Sequence, residues 1–498
     1  MLCCFPLLSQ ERQAERGQPD NNVYVISSIE YRITGRTTKR ALARALKLRE
    51  GERFAGLEDL DRYVAGKIRE LHNLRSLEAG VSTIRYTLGE SPADSGQQSG
   101  SRAARPVHLE ITAADTWNFI VLPEPKYDSN SGFTLSLKAR DYNFLGTLSP
   151  LKLDLIWGSD DDGMDMAGVL LEMDFPFRVL NHDWNFAVIQ DYRYYFDAPV
   201  YNKTAAALSV NLPFGFTTLR PGFEQGFVLH EKDNKAKNDG GYHNWYLYSK
   251  PYIDWEIPVP LEIGDFGKII YTPGIYGNLN YQPGGDVGVY RAGPGAGFTQ
   301  RLEFGKINWL GNFRQGIKIG TFNENEYDFY HKDWDNSAGI SAEGHLKFSG
   351  IFGVSARVMY TRWLDNSWDR AGDTVRGYRD DALDAEQRLS VNLDFPFRLI
   401  RFVPSVWSGG KSLGIFDFEQ HWSPFIDILM VDTPDQGYRF RPEDIITTAG
   451  LEIITFPLKW RSIYIRISAG WNLREWIGEG KMPSGIHREI YIGLGHYY

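Results

Sequence analysis

The chain has 498 residues, a formal charge of −9 and a sequence pI of about 5.7, so it offers no basic face for nucleic acid. Aromatic residues make up 14% and glycines number 50, yet the mean hydropathy is only −0.36, which suits strands that alternate apolar and polar residues. No apolar run approaches the roughly 18–20 residues of a spanning helix, which excludes a helical membrane protein but not a transmembrane β-barrel.

Residues 1–21 open with MLCCFPLLSQ, a short apolar stretch followed by polar residues. They read as a signal-peptide remnant or disordered N-terminus that holds the only two cysteines, Cys3 and Cys4. Residues 22–114 read as a small α+β domain. NVYVISSIEYRITG is strand-like and stops at Gly35. TTKRALARALKLREG places Leu42, Ala45 and Leu46 on one helical face, with Gly51 beyond its end. LEDLDRYVAGKIRELHNL carries Leu57, Leu60, Val64, Ile68, Leu71 and Leu74 at helical spacing. Two strands follow, in LEAGVSTIRYTL and PVHLEITAAD, separated by a Gly/Ser/Ala-rich loop.

From Asp115 to Tyr498 no helical period persists, and stretches of about ten residues alternate instead. In RSIYIRISAGW, Ile463, Ile465, Ile467, Ala469 and Trp471 oppose Ser462, Tyr464, Arg466, Ser468 and Gly470. In KSLGIFDFEQHWSPFIDILM, Phe416, Phe418, Trp422, Ile426 and Ile428 oppose Asp417, Glu419, His421, Ser423 and Asp427. In EQRLSVNLDF, Asp394 shares a face with Arg388, Ser390 and Asn392. Aromatics crowd strand ends such as DYRYYF and YDFYHKDW, as interfacial girdles do. Short proline-containing joints (TLSPLK, DFPFR, NLPF, IPVP) alternate with long Gly/Asp/Asn-rich stretches (HEKDNKAKNDGGY), the asymmetry of outer-membrane barrels. Divided among sixteen strands, residues 115–498 supply roughly 24 residues per strand and connection. The turn count also accommodates eighteen.

No Ser/His/Asp order, carboxylate cleft or His/Cys cluster stands out, and the ten histidines are scattered. The chain is therefore expected to be no enzyme and to carry neither cofactor nor metal. The most unusual stretch is GDTVRGYRDDA, which starts at Gly372. Gly377 permits a sharp bend, Tyr378 can stack in a wet interior, and the Arg376 guanidinium has donors enough for two carboxylates. By itself the stretch reads equally as an exposed turn whose arginine pairs with Asp380.

Four features together carry a resemblance to the outer-membrane assembly superfamily of BamA, TamA, Sam50 and the two-partner-secretion transporters, also called the surface-antigen type. The strand–helix–helix–strand–strand order is similar to a POTRA domain. DTWNFIVLPEPKYDSNSGFTLSLKARDYNFLGT is similar to the family's first barrel hairpin with its N-F-L-G turn. VRGYRD (Val375, Arg376, Gly377, Tyr378, Arg379 and Asp380) resembles the Val-Arg-Gly-Phe/Tyr motif of an inward-folded loop. EIYIGLGHYY resembles a terminal strand with a β-signal, although His496 stands where the family has an aromatic residue. The resemblance implies a mainly β fold, with one periplasmic POTRA domain at residues 22–114 and a sixteen-stranded transmembrane antiparallel barrel at residues 115–498. It also implies that Arg376 is held in the lumen by Asp394 and Asp427, a structural and not a catalytic role.

The first barrel strand, with Trp117, Phe119, Pro123 and Pro125, would then close against the last, with Tyr491, Gly493, Gly495 and Tyr498. Both sides of that seam look weak, because proline removes ladder donors and glycine offers no cross-strand side chain. The expected function is insertion or translocation of client β-barrel proteins at this seam in the outer membrane. Its partners would be lipids, unfolded outer-membrane clients and periplasmic chaperones or accessory lipoproteins, with no nucleic acid. A two-partner-secretion transporter and a passive pore are the alternatives. A single POTRA-like domain departs from both the assembly and the secretion patterns, which carry more.

Overall fold

In a computed structural model the described residues are 22–90, 104–128, 132–159, 164–196, 199–229, 245–262, 267–283, 294–364, 369–378, 383–407, 411–433, 437–460, 463–479 and 488–494. Cys3, Cys4, Arg379, Asp380, Gly495, His496 and Tyr498 lie outside them.

The N-terminal unit contains β1 (Val23–Thr34), α1 (Lys39–Leu46), β2 (Arg53–Phe54), α2 (Leu57–Asn73), β3 (Thr83–Leu88) and β4 (Ala104–Ala114). Thr38 caps α1 by accepting a hydrogen bond from the Ala41 amide, which satisfies one of the helix's orphan donors. The apolar faces of both helices cover one mixed sheet of order β2-β1-β4-β3, in which β1 and β4 run parallel. Leu42, Leu46, Leu60, Val64 and Leu71 from the helices pack against Ile26, Val107, Leu109 and Ile111 from the strands. Ala41, not Ala45, joins Leu42 on the buried face of α1.

The rest of the chain forms one closed antiparallel barrel. Its strands are β5 (Phe119–Asp128), β6 (Gly132–Asp141), β7 (Leu151–Ser159), β8 (Asp165–Val179), β9 (His182–Tyr195), β10 (Tyr201–Phe214), β11 (Thr217–Leu229), β12 (Trp245–Glu262) and β13 (Lys268–Tyr281). They continue with β14 (Gly295–Leu310), β15 (Phe313–Asp328), β16 (Asp333–Lys347) and β17 (Gly353–Trp363). A two-residue hairpin, β18 (Asp369–Arg370) and β19 (Asp384–Ala385), lies between β17 and the next barrel strand. Then come β20 (Gln387–Asp394), β21 (Phe397–Phe402), β22 (Phe418–Asp432), β23 (Ile446–Pro457), β24 (Ile465–Asn472) and β25 (Arg488–Leu494). Short helices α3 (Pro404–Trp407) and α4 (Leu473–Glu479) sit in connections.

β20 and β21 pair successively with β22 and are one strand interrupted at Phe395-Pro396, where proline removes a ladder donor. The barrel therefore has eighteen strands, which corrects the expectation of sixteen. The difference arises from tight hairpins. Leu180 and Asn181 both take positive φ, the pattern of a two-residue type I′ turn, and Gly311 turns β14 into β15 with a single neighbour. Such joints consume fewer residues than the average spacing allowed.

The alternation sets the two faces. Phe133, Leu135 and Leu137 on β6, Leu155 and Trp157 on β7, and Ile253 and Trp255 on β12 are exposed on the outside. Asp154, Arg388, Ser390, Asp427, Thr448 and Glu452 are buried on the inside. β24 is shorter than its sequence pattern: Ile463 and Tyr464 precede it, and the Tyr464 ring packs 5.8 Å from Phe456.

The N-terminal unit rests on one rim of the barrel at two places. At the turn after β6, the Asn143 amide donates to Thr37 (2.8 Å) and Asp115 (3.2 Å), and Arg44 donates to the Thr147 carbonyl (2.7 Å). Gly146, at φ +74°, brings its carbonyl within 3.0 Å of the Thr38 amide. Near the β14–β15 turn, Lys306 donates to Glu70 (2.8 Å), the Trp309 amide donates to Asn73 (2.9 Å), and the Arg75 guanidinium lies 4.4 Å from the Trp309 ring centre. The two contacts are nearly half the circumference apart, so the unit spans the mouth.

Candidate functional site: a buried arginine and the barrel seam

The described residues of the connection from β17 to β20 fold into the lumen. Ala371, Val375, Tyr378, Leu383 and Ala385 pack with Leu429, Val431 and Ile446 on the inner wall, which gives a wet barrel a small apolar core. Thr374 anchors the turn by bonding its hydroxyl to the Ala371 carbonyl (2.7 Å), and Asn392 donates to the Thr374 carbonyl (3.0 Å). Arg388 donates to the Arg370 carbonyl and to Asp373 (3.3 Å).

This scaffold holds Arg376 almost wholly out of solvent. Its Nε and Nη2 donate side by side to the Oδ2 and Oδ1 of Asp427, at 2.9 and 2.7 Å. Its own backbone amide donates to the same carboxylate at 2.9 Å. Nη1 donates to Asp394 at 2.6 Å, and the guanidinium plane lies 3.8 Å from the Phe425 ring centre. Asp427 is 0% exposed, so two-toothed guanidinium contact replaces water as its solvation.

Gly377 takes φ +87°, and its amide donates to Glu489 on β25 at 2.9 Å. A Cβ there would meet the Gly470 carbonyl carbon and the Trp471 nitrogen at 2.6 Å, so loop backbone lies directly on strand backbone. Only a residue without a side chain fits. Tyr378 is buried in the small core.

Sequence reasoning missed three wall residues at this site. Glu452 on β23 lies 3.7 Å from Arg376 and accepts from Arg466 on β24. Phe425 and Glu489 complete the set. Strict alternation along GLEIITF and REIYIG was the available signal for the two acids. A cavity of about 520 Å³ adjoins the loop. On its wall, His345 bonds Ser355 through Nδ1 (2.7 Å), and its Nε2 lies 3.6 Å from Glu343.

The seam is described over two residue pairs, Tyr491–Asp128 and Ile492–Tyr127. Pro123 and Pro125 on β5 pair instead with Leu137 and Leu135 of β6. Phe119 points outward, and Trp117, just before the strand, is exposed. Tyr491 turns inward. The Lys126 ammonium of β5 lies 5.7 Å from its ring centre and the Arg466 guanidinium 5.2 Å. A Cβ at Gly493 would sit 2.6 Å from the Tyr491 hydroxyl and 3.2 Å from Glu124 of β5. Glycine at this position leaves room for the ring to lie along the seam.

No protein-family model and no curated protein sequence matches the chain. Among solved structures, CdiB from Acinetobacter baumannii is similar at a TM-score of 0.51 and 11% identity, covering 95% of this chain and 74% of that one. CdiB from Escherichia coli gives a TM-score of 0.42 at 11% identity over 98% and 92% of the two chains. BamA from Haemophilus ducreyi lacking POTRA domains 1–3 gives 0.39 at 12% identity over 94% and 84%. What the chain shares with the Acinetobacter CdiB is its fold.

Proposed function

We propose that the protein is an outer-membrane assembly factor that passes client β-barrel strands through the seam between β5 and β25. The observation that carries this reading is the seam itself. β5 and β25, the first and last strands of the barrel, meet there at Tyr491–Asp128 and Ile492–Tyr127, and Pro123 and Pro125 each take an N–H donor out of β5. Backbone groups in hydrocarbon must be paired, so an edge that parts easily is an edge onto which a client strand can add. The outward apolar residues support a membrane-spanning barrel, and the inward loop keeps the lumen occupied while the seam works. On this reading the N-terminal unit is a single POTRA domain on the periplasmic rim, its partners are lipids, unfolded clients and periplasmic chaperones or lipoproteins, and the protein performs no catalysis. The fold shared with CdiB favours one second reading, secretion of an extended polypeptide through the lumen.

The test is a reversible lock. With Cys3 and Cys4 replaced by serine, Tyr127→Cys and Ile492→Cys stand directly across the seam. Oxidation in cells should halt the appearance of other folded barrels in the outer membrane, and reduction should restore it. Assembly that proceeds at the normal rate through a fully oxidised seam refutes the proposal. Loss of secretion alone would favour the second reading.

A further inference from the structure

We infer that a basic pocket just inside the barrel mouth, built around Lys347, Arg398 and Arg401 at the rim where the N-terminal unit rests, binds acidic side chains of a polypeptide entering the barrel. This rests on the reading above that unfolded clients are handled here, and it adds where their carboxylates are held.

The pocket has a volume of about 390 Å³, within the range of roughly 300–1,000 Å³ for ligand sites. It lies among the β14–β15 turn, the end of β16, β21 and the feet of β22 and β23. Its described lining holds three cations, Lys347, Arg398 and Arg401, and one carboxylate, Glu419. That carboxylate is already engaged. Asn312 donates to it at 3.2 Å, His421 Nε2 lies 2.7 Å from it and Arg398 3.5 Å. Lys347 reaches the Leu310 carbonyl at 3.4 Å and lies 5.6 Å from the Phe313 ring centre, and neither cancels its charge. Arg401 is exposed, and among the described residues it has neither a hydrogen bond nor an ion pair.

The register places the two arginines on the lumen side. Arg398 stands opposite His421 and Arg401 opposite Glu419, and both partners are buried in the barrel. Ile400, between them, is exposed on the outer face, so the bilayer lies on the other side of this wall. Leu310, Phe313, Pro457 and Leu458 add apolar surface to the pocket. A small inorganic anion makes no use of such walls, whereas an acidic residue beside an apolar one uses both. Asn312 accepts a hydrogen bond from Arg75 of the N-terminal unit at 3.3 Å, so the unit borders the opening. Arg401 offers a fork of donors matched to a carboxylate, and Lys347 offers a second charge. The chain as a whole carries a formal charge of −9, which makes this pocket a local exception that draws an acidic segment toward it.

The experiment uses the full chain in phosphatidylcholine nanodiscs. The probe is the peptide Gly-Glu-Leu-Glu-Phe-Glu-Leu-Gly with a neutral coumarin label, and fluorescence anisotropy reports its binding. A second peptide has Gln in place of each Glu. The acidic peptide should bind, the Gln peptide should bind roughly tenfold more weakly, and the difference should shrink as salt rises. Arg401→Gln breaks no contact of the fold and should weaken the acidic peptide about fivefold, with Arg401→Lys keeping part of the affinity. Lys347→Gln should weaken it as well. Glu419→Gln removes the competing carboxylate and should tighten it. Arg439→Gln makes the same change in net charge at an exposed position on the opposite rim and should alter nothing. Equal binding of the two peptides overturns the inference, as does equal binding of the acidic peptide to the parent and to Arg401→Gln. Inorganic phosphate that competes as strongly as the peptide itself makes this a small-anion site and overturns the polypeptide assignment. If peptide binding follows these lines while a locked seam leaves assembly in cells untouched, the pocket stands and the assembly reading falls. If the lock halts assembly but Arg401→Gln binds the peptide like the parent, the pocket alone falls.

Discussion

Replacing Arg376 by alanine leaves Asp427 with one donor where it had three. The two donors lost are charge-assisted, and the carboxylate is fully enclosed. Breaking such a pair costs about 3–5 kcal/mol. The surviving backbone donor and the partial exposure of Asp394 place this case at the low end. About 3 kcal/mol corresponds to roughly a hundredfold rise in the loop-open population. Chymotrypsin reads that population, because Tyr378 is 2% exposed when the loop is docked and cleavable when it is not. Arg376→Lys keeps the charge but loses the fork, so its cleavage should rise about tenfold. Combining Arg376→Met with Asp427→Leu removes both charges and should cost less than the sum of the single changes. Cleavage of Arg376→Ala within twofold of the parent, in a barrel that still folds, refutes the assignment of Arg376 as the residue that holds the loop.

Gly377→Ala changes no charge, yet its methyl group would enter the backbone of Gly470 and Trp471, and loop cleavage should exceed that of Arg376→Lys. The closed barrel should run faster on a gel unboiled than boiled, and identical migration would contradict closure. Asn73→Ala removes two hydrogen bonds to the barrel rim, worth about 1–2 kcal/mol together, and amide exchange at Trp309 should quicken about tenfold. The same contact has a pH signature through Glu70. Burial pushes its carboxyl up, but hydrogen bonds from Lys306 and Lys67 outweigh this and hold it below its ordinary value of 4.5. A depressed carboxylate contributes fully above the ordinary value and loses its contribution as pH falls through the folded one. Trp309 exchange should therefore stay flat from pH 7 to about 5 after correction for intrinsic rates, and rise below that. Glu70→Gln should abolish the rise.

Much of this architecture is legible in the chain because a barrel wall has one rule, inside and outside in turn. EQRLSVNLDF and FEQHWSPFIDILM place Asp394 and Asp427 on their polar faces, and in the structure both point inward. The N-terminal helices are legible for a similar reason, through Leu42, Leu46, Leu60 and Leu71 at helical spacing. Strand number was not legible. It depends on turns such as Leu180-Asn181, which lacks the usual Asn-Gly or Asp-Gly signature, and on a strand that continues through Phe395-Pro396. Nor was the full neighbourhood of Arg376. Glu452 and Glu489 come from strands far along the chain, and alternation gives a residue's face but not its height in the barrel. The rim contacts of Asn73, Arg75 and Asn143 are equally hidden, since isolated polar residues at turns carry no period.

The strands differ greatly in length around the circumference. β12, β14 and β15 run for 18, 16 and 16 residues, while β24 runs for 8. At about 3.3 Å per residue and a tilt of about 45°, this is a wall of about 42 Å at β12 and about 19 Å at β24. The apolar band of an outer-membrane barrel is about 25 Å tall. A bilayer around this protein therefore meets ample protein on one side and too little on the other. It must thin beside β24, at a fraction of a kcal/mol for each ångström of mismatch. The lipid bordering β24, one strand away from the seam, is then held farthest from its resting thickness, and much of the barrel's strain resides in the membrane and not in its own sheet.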